Sequence, residues 1–298
     1  MGKKKRGIKT AIAIITIIIC LSIAAFFLFQ QKDEVNLSPS QPIGVQVQIG
    51  NSAPTITNVQ AIPNVNLNPS PSTTNIIFTF TARDSNGASD LVDSTASAQF
   101  INTGEPTRTG TCIFLSTAGK EKTYRCTVVM NYFDKSGSWT AGVSVADTQV
   151  AIATSSTIFT VNLLRDISLS PPLITFPSVS PGNSNVLSTQ NTLITNNGNF
   201  EAPPGTISAT AYDLTGETNP LEKIPAANFK IAGSLQSNTC GLGEALIHSS
   251  TIVLTTSKLS RGQTGNTETI KYCLTSVPEI SSQFYSAIGG NSWIIAIN

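Results

Sequence analysis

Between Ala82 and Asp93 the chain reads Ala-Arg-Asp-Ser-Asn-Gly-Ala-Ser-Asp-Leu-Val-Asp, which gathers Asp84, Asn86, Asp90 and Asp93 in one Gly-containing stretch. Carboxylate and amide oxygens in such a loop are the donors that Ca²⁺ takes. The spacing lacks the alternating ligand positions and the closing Glu of an EF-hand. Asn86-Gly87 also accounts for itself as a left-handed turn, with Asp84 and Asp90 capping free backbone N–H groups. The residues favour a turn over a calcium loop, so no metal or cofactor is required. His248 is the only histidine, and a hydrolytic triad or zinc site would have to be built around it. Neither Gly-x-Ser-x-Gly nor His-x-x-x-His is present. Asp and Glu are few and mostly at turns, so a carboxylate pair for glycoside chemistry would have to come from the fold. Trp139 and Trp293 could stack on sugars if exposed, but each opens an alternating strand, where core or edge packing is the ordinary role. Gly241-Leu242-Gly243 is too short to suggest a phosphate loop. No catalytic residue is expected, and the chain does not read as an enzyme.

Five cysteines remain to be placed. Gly110–Ser116 and Thr123–Val129 flank Ala118-Gly119-Lys120, the pattern of a hairpin. If the chain turns about Gly119, Cys112 faces Cys126 and Phe114 faces Tyr124, both pairs on one sheet face. A disulfide there closes about 15 residues and stabilises by roughly 3 kcal/mol. Cys240 and Cys273 form the other pair, because 112–126 with 240–273 is the simplest of three connectivities for two domains. The reactive-thiol or metal alternative lacks a nearby His or third Cys. Cys20 sits inside an apolar run. Ile19 precedes it where a lipidation signal wants a small residue, so it reads as membrane-helix packing.

That apolar run, Ala11–Phe29, has 19 residues and no charge. As a helix it spans roughly 28 Å, close to the hydrocarbon thickness of a bilayer. Lys3, Lys4, Lys5, Arg6 and Lys9 precede it, which keeps the N-terminus in the cytoplasm and sends the rest outside. No small-x-small site follows, so the segment reads as an uncleaved signal-anchor rather than a cleaved signal. Lys5-Arg6-Gly7 also sits where a prepilin-like cleavage site would, although Lys9 and the lack of an early Glu argue against it. Charged residues are 12% of the chain, about half the usual share. Five of the 18 Lys and Arg precede residue 10, so the remainder has 13 basic against 17 acidic residues. A charge-poor ectodomain with no basic cluster excludes nucleic acid as a partner.

Residues 32–53 form a Pro-, Ser- and Gln-containing linker, in which Gly44–Ile49 alternates and could pair as an edge strand. Asn36-Leu37-Ser38 is the one N-glycosylation sequon, weakened by Pro39. From Pro54 to Leu164 period-two patterns recur: Ile76, Phe78 and Phe80; Trp139, Ala141, Val143 and Val145; Phe159, Val161 and Leu163. Breaks every 8–15 residues at Asn-Gly, Ala-Gly or Ser-Gly indicate an antiparallel sandwich. Residues 165–172 end in Pro171-Pro172 and read as a stiff joint. A second domain, 173–298, carries the turn Asn196-Asn197-Gly198-Asn199 and alternating Ile207, Ala209 and Ala211. Its later candidate strands are Ser250–Thr255, Glu268–Thr275 and Trp293–Ile297.

Asp84-Ser85-Asn86-Gly87-Ala88-Ser89-Asp90 resembles the D-x-N-G-x-x-D turn of Ig-like modules in prokaryotic, especially archaeal, membrane-anchored surface proteins. Thr195-Asn196-Asn197-Gly198-Asn199 is similar to a strand-turn of such sandwiches, and Asp213-Leu214-Thr215-Gly216 fits the same setting. The resemblance spans most of 54–298 through short motifs, and it implies a fold and a cell-surface setting but no ligand. The expected architecture is an all-β ectodomain, two Ig-like antiparallel β-sandwiches in tandem behind one N-terminal transmembrane helix, the helix and its cytoplasmic basic stub together making up residues 1–31. The expected role is structural or adhesive, at the cell membrane with the C-terminal domains extracellular, through an unidentified surface protein or glycan partner. A pilin-like subunit cut at Gly7 and an extracellular carbohydrate-binding module are the alternatives.

Overall fold

A computed structural model of the chain describes residues 19, 22, 43–287 and 291–298. The expected span at 11–29 therefore lies outside the described residues except for Ile19 and Ser22, both helical, with Ser22 Oγ donating to the Ile19 carbonyl at 2.9 Å. The Asn36 sequon lies outside them entirely. Among the described residues no helix is long and apolar enough to cross a membrane. The chain divides into two compact units, 1–50 and 51–298. In the first, Ile43, Val45, Val47 and Ile49 are exposed and the edge strand expected for Gly44–Ile49 does not form.

The second unit is all-β. Its first half has seven strands of mostly 10 or 11 residues: β1 (Thr55–Val59), β2 (Thr73–Arg83), β3 (Leu91–Ile101), β4 (Arg108–Ala118), β5 (Glu121–Asn131), β6 (Gly137–Asp147) and β7 (Ile152–Val161). They hydrogen-bond in the order β1-β2-β5-β4-β3-β6-β7. That is the A-B-E-D and C-F-G order of an immunoglobulin constant-type sandwich, with the β4–β3 pair joining the two layers. The sheet folds over its own inner face. Phe100 of β3 meets Phe78 of β2 at 5.8 Å and Phe159 of β7 at 4.7 Å between ring centroids, and none of these strands are sheet neighbours. Ahead of β2, Val65 bridges in parallel to Val161 and closes the side of the sandwich.

Period-two alternation sorts the side chains. Ile76, Phe78, Phe80 and Ala82 are buried, as are Trp139, Ala141, Val143 and Val145, while Ile77 stays exposed. Each large side chain so buried stabilises by about 1.5–3 kcal/mol. Leu163 breaks the expectation: β7 ends at Val161, and Leu163 is exposed. Cys112 does pair with Cys126 and Phe114 with Tyr124, but by a different turn. The loop is the two residues Gly119-Lys120, with Ala118 opposite Glu121, and Gly119 takes φ +59°. A register shift at Leu115 then absorbs one residue, so the cysteines face each other in spite of the displaced turn. Both expected disulfides, Cys112–Cys126 and Cys240–Cys273, are formed.

The second half has shorter strands: β8 (Ile167–Ser170), β9 (Ser184–Leu187), β10 (Thr192–Asn196), β11 (Ile207–Thr210), β12 (Leu214–Gly216), β13 (Lys223–Ile224), β14 (Phe229–Ala232), β15 (Glu244–Ala245), β16 (Thr251–Val253), β17 (Thr267–Ser276), β18 (Tyr285–Ser286) and β19 (Ile294–Ile297). The largest sheet runs β15-β14-β17-β10-β8, with β9 also on β17. Two three-stranded sheets, β16-β11-β19 and β13-β12-β18, complete it. This half does not repeat the strand order of the first. It encloses a separate core around Ile194, Ile207, Phe229, Ile231, Leu246 and Ile270. Residues 165–172 are not a joint, because Ile167–Ser170 is β8, paired along its length with β10.

What joins the halves is the Asn196–Asn199 turn. Asn199 donates to the carbonyls of Asp134 at 3.1 Å and Asn162 at 3.0 Å, while its Oδ1 accepts from Leu164 N at 2.6 Å. Asn197 O accepts from Ser70 N at 2.9 Å. A Cβ on Gly198 would lie 2.1 Å from Leu164 O, so only glycine lets the backbones approach this closely. Arg261 extends the contact, donating to the Glu105 carboxylate and to the Phe133 carbonyl at 3.1 Å. Asn199→Ala strands buried carbonyls and an amide at this junction, an expected loss of about 2 kcal/mol or more. Calorimetry of the full chain should show one transition for the wild type, and a lower or split transition for the variant.

Candidate functional site

Three connections meet at one end of the first sandwich. Asp84 follows β2, where its N–H donates to Lys120 O of the β4–β5 turn at 3.1 Å. Asp90 closes the 3-10 turn Ala88–Asp90, and its carbonyl accepts from Thr148 N at 2.9 Å. Asp147 ends β6. Carboxylate oxygens of Asp84, Asp90 and Asp147 lie within 4.8 Å of one another. Asp84 is fully buried, Asp147 is 2% exposed and Asp90 is half-buried.

The hydrogen bonds of these carboxylates are unequal. Asp147 Oδ1 accepts from Gln149 N at 2.9 Å and Ala151 N at 2.8 Å, and its Oδ2 accepts from Asn51 Nδ2 at 2.8 Å. Asp90 Oδ1 accepts from the Thr148 hydroxyl. Asp84 Oδ1 accepts from Asn86 N at 2.7 Å, which is the expected Asx turn, but Asp84 Oδ2 is buried without a hydrogen-bond partner. Among the described residues, no Lys, Arg or His nitrogen lies within 4.0 Å of any of the three carboxylates. Like charges held at this spacing repel one another. The Asn51 amide, the first residue of this compact unit, holds the Asp147 carboxyl below its usual range. Burial opposes that shift, and the Ala151 and Gln149 N–H groups reinforce it.

The four residues singled out in the sequence divide. Asp84 and Asp90 come together, and Asn86 Oδ1 accepts from Ser52 N at 2.8 Å. Asp93 does not join them. The strand turns it toward Lys122 Nζ, at 2.7 Å, and the Tyr124 hydroxyl, at 2.9 Å. Burial, then the hydrogen bond to Asp93, raises the Tyr124 hydroxyl far above its usual range, so it remains a donor. Asp147 replaces Asp93 in the cluster. It stands 57 positions beyond Asp90, in a turn with no motif of its own, and only the pairing of β3 with β6 (Leu91 opposite Asp147) brings it near.

Other candidates lie apart. Trp139 is fully buried with Nε1 donating to Lys135 O at 2.8 Å, so it presents no face to a sugar. Trp293 packs edge-on to Phe229 at 5.1 Å and donates to Tyr212 O at 2.8 Å. His248 is exposed beside Asp213 and Tyr212, outside any group of acidic, Cys or His side chains close enough to share an ion among the described residues. A cleft of about 680 Å³ beside Cys240 is lined by residues such as Ser188, Asn191, Asn238 and Lys271, without an aromatic or acidic side chain.

The first sandwich also has an open edge. β3 pairs with β4 only from Arg108 to Thr111, while β5 follows β4 to Ala118. From Cys112 onward β4 has one neighbour. Ile113, Phe114 and Leu115 are 51%, 44% and 50% exposed. No charge or proline lies between Thr109 and Ala118, although such residues ordinarily guard an edge strand.

No family model and no curated protein matches the chain. Among solved structures it is similar to a tandem pair of titin Ig domains, at 10% identity and a TM-score of 0.25, over 84% of this chain and 97% of that one. It is also similar to the secreted serine protease VesC from Vibrio cholerae, at 8% identity and a TM-score of 0.23, over 82% of this chain and 51% of that one. The eight N-terminal Ig domains of Down syndrome cell adhesion molecule match at 9% identity and a TM-score of 0.20, over 83% and 42%. At such scores none of these likenesses carries an argument about function, and the Ig strand order rests on this chain's own pairing.

Because the folded pKa of Asp147 is depressed, its contribution to stability is complete above the unfolded carboxyl value of about 3.9. That contribution is lost as pH falls through the lower folded value. An NMR titration should place the Asp147 midpoint below 3.9, and Asn51→Ala should move it upward. An unmoved midpoint in the variant would contradict the assignment of Asn51 as the chief cause.

Proposed function

We propose that the protein is a membrane-anchored cell-surface component with a cytoplasmic N-terminus, whose β-domains work by structural or adhesive contact rather than catalysis. In this reading the second half is a divergent Ig-like sandwich, and the whole is displayed in the manner of the prokaryotic surface proteins that its turn motifs resemble. The single observation that carries the adhesive reading is the open edge of β4. A strand with unpaired backbone groups, three exposed apolar side chains and no charge of its own from Thr109 to Ala118 is a template for adding a partner's strand. A nearby cation, Lys122 Nζ of β5, lies 5.6 Å from the Phe114 ring centroid. The Asn199 junction supports it too, because a contact made at one point of a firmly joined pair transmits load through both halves. The apolar Ala11–Phe29 segment with its basic flank supports the anchor.

Leu115→Lys places a charge on the bulged edge without touching the core, and such an exposed change should alter stability by no more than about 0.5 kcal/mol. Cells displaying the full chain should aggregate, and cells displaying Leu115→Lys at equal surface density and equal melting temperature should aggregate at least several-fold less. Unchanged aggregation by the variant would remove the β4 edge as the contact surface.

A further inference from the structure

We infer that Asp84, Asp90 and Asp147 form a calcium site at the end of the first sandwich where residues 51–53 enter it. The inference is independent of the adhesive reading. Three carboxylates, two from the β2–β3 connection and one from the end of β6, converge within 4.8 Å, two of them essentially buried, with no cation among the described residues to balance them. A fold does not ordinarily bury like charges together unless something positive completes the set. The second observation is Asp84 Oδ2, an acceptor inside a fully buried residue with nothing donating to it. A protein donor that used this oxygen would leave no orphan. A cation uses it and relieves the repulsion in the same step.

The donor chemistry selects the ion. Every side chain offered is a carboxylate, with no Cys or His in the group, which suits a hard cation and not zinc or copper. The donors come from a 3-10 turn, a strand end and a strand-to-turn junction, an irregular set of the kind that the flexible 6–8-coordinate shell of Ca²⁺ accepts. Mg²⁺ demands near-ideal octahedral geometry instead. Water and loop carbonyls would fill the remaining positions. The site also reaches the chain entrance. Asn51 donates to Asp147 and Ser52 N donates to Asn86, so a cation holding Asp84, Asp90 and Asp147 in place also fixes the acceptors that grip residues 51–52.

The probe is calcium alone, added to the full-length protein in detergent after EDTA treatment and desalting. Equilibrium dialysis in about 1 mM calcium, the range of extracellular modules, should find one ion per chain, and calcium should raise the melting temperature. Asp84→Asn should abolish both effects. In EDTA it should melt no lower than the wild type, because one buried like charge has gone. Asp90→Asn, at the half-buried position, serves the same test if Asp84→Asn does not fold. Asp93→Asn should bind calcium normally. Absence of bound calcium in the wild type, retained binding in Asp84→Asn or Asp90→Asn, or equal affinity for Mg²⁺ would each overturn the assignment.

Discussion

The Cys112–Cys126 bridge is the constraint on which the exposed side of the first sandwich depends. β4 loses its β3 neighbour after Thr111, one residue before the bridge, and runs on to Ala118 with β5 alone. An edge strand exposed on both faces has little burial to hold it, and hydrogen bonds along one side contribute only about 1 kcal/mol each. The covalent link closes a loop of 14 residues' separation and offsets roughly 3 kcal/mol of the entropy of ordering it. Cys126 is fully buried while Cys112 is partly so, which ties the exposed strand to the core rather than to another surface strand. With that anchor in place, Ile113, Phe114 and Leu115 can stay on the surface without the strand fraying.

A second constraint works at the other end of the sandwich. The Asn196–Asn199 turn belongs to the second half, but its backbone and side chains satisfy donors and acceptors of the first, at Ser70, Asp134, Asn162 and Leu164. Arg261 crosses the same seam to Glu105 and Phe133. A charge-poor chain has few ion pairs with which to build such a seam. Much of it is built instead from amide and backbone hydrogen bonds, which salt screens far less than exposed charges. Residues 51–298 consequently form one compact unit although they contain two cores.

The parts legible in the sequence are those set by local rules. Alternation fixed the inner faces of β2 and β6, because a strand half-buried over its whole length must repeat every two residues. Both disulfides followed from pairing and elimination. The hairpin register came out correct at the cysteines through two compensating departures, a turn one residue wider and a register shift at Leu115, neither marked by a distinctive residue. The Asn-Asn-Gly-Asn turn was visible as a turn, but its role as the seam was not, since its partners lie at 70, 134, 162 and 164. The acidic cluster was half legible for the same reason. Asp84 and Asp90 share a local motif, whereas Asp147 arrives through the β3–β6 pairing. The short strands of the second half, divided among three sheets, offered too little periodicity to assign their order.

These features put the two ends of the first sandwich in different roles: one grips the entering chain and the other holds the second half, while the β4 edge between them stays open. The proposed adhesive role rests on this edge as the contact surface. Hydrogen exchange along Ile113–Ala118, compared between purified full-length protein and the same protein on aggregated cells, tests it most directly. Contact through this edge should give rapid exchange of the outward-facing amides in the purified protein and protection on the aggregated cells, with the amides of β6 unchanged. Equal exchange in both states, while the cells are aggregated, would contradict it.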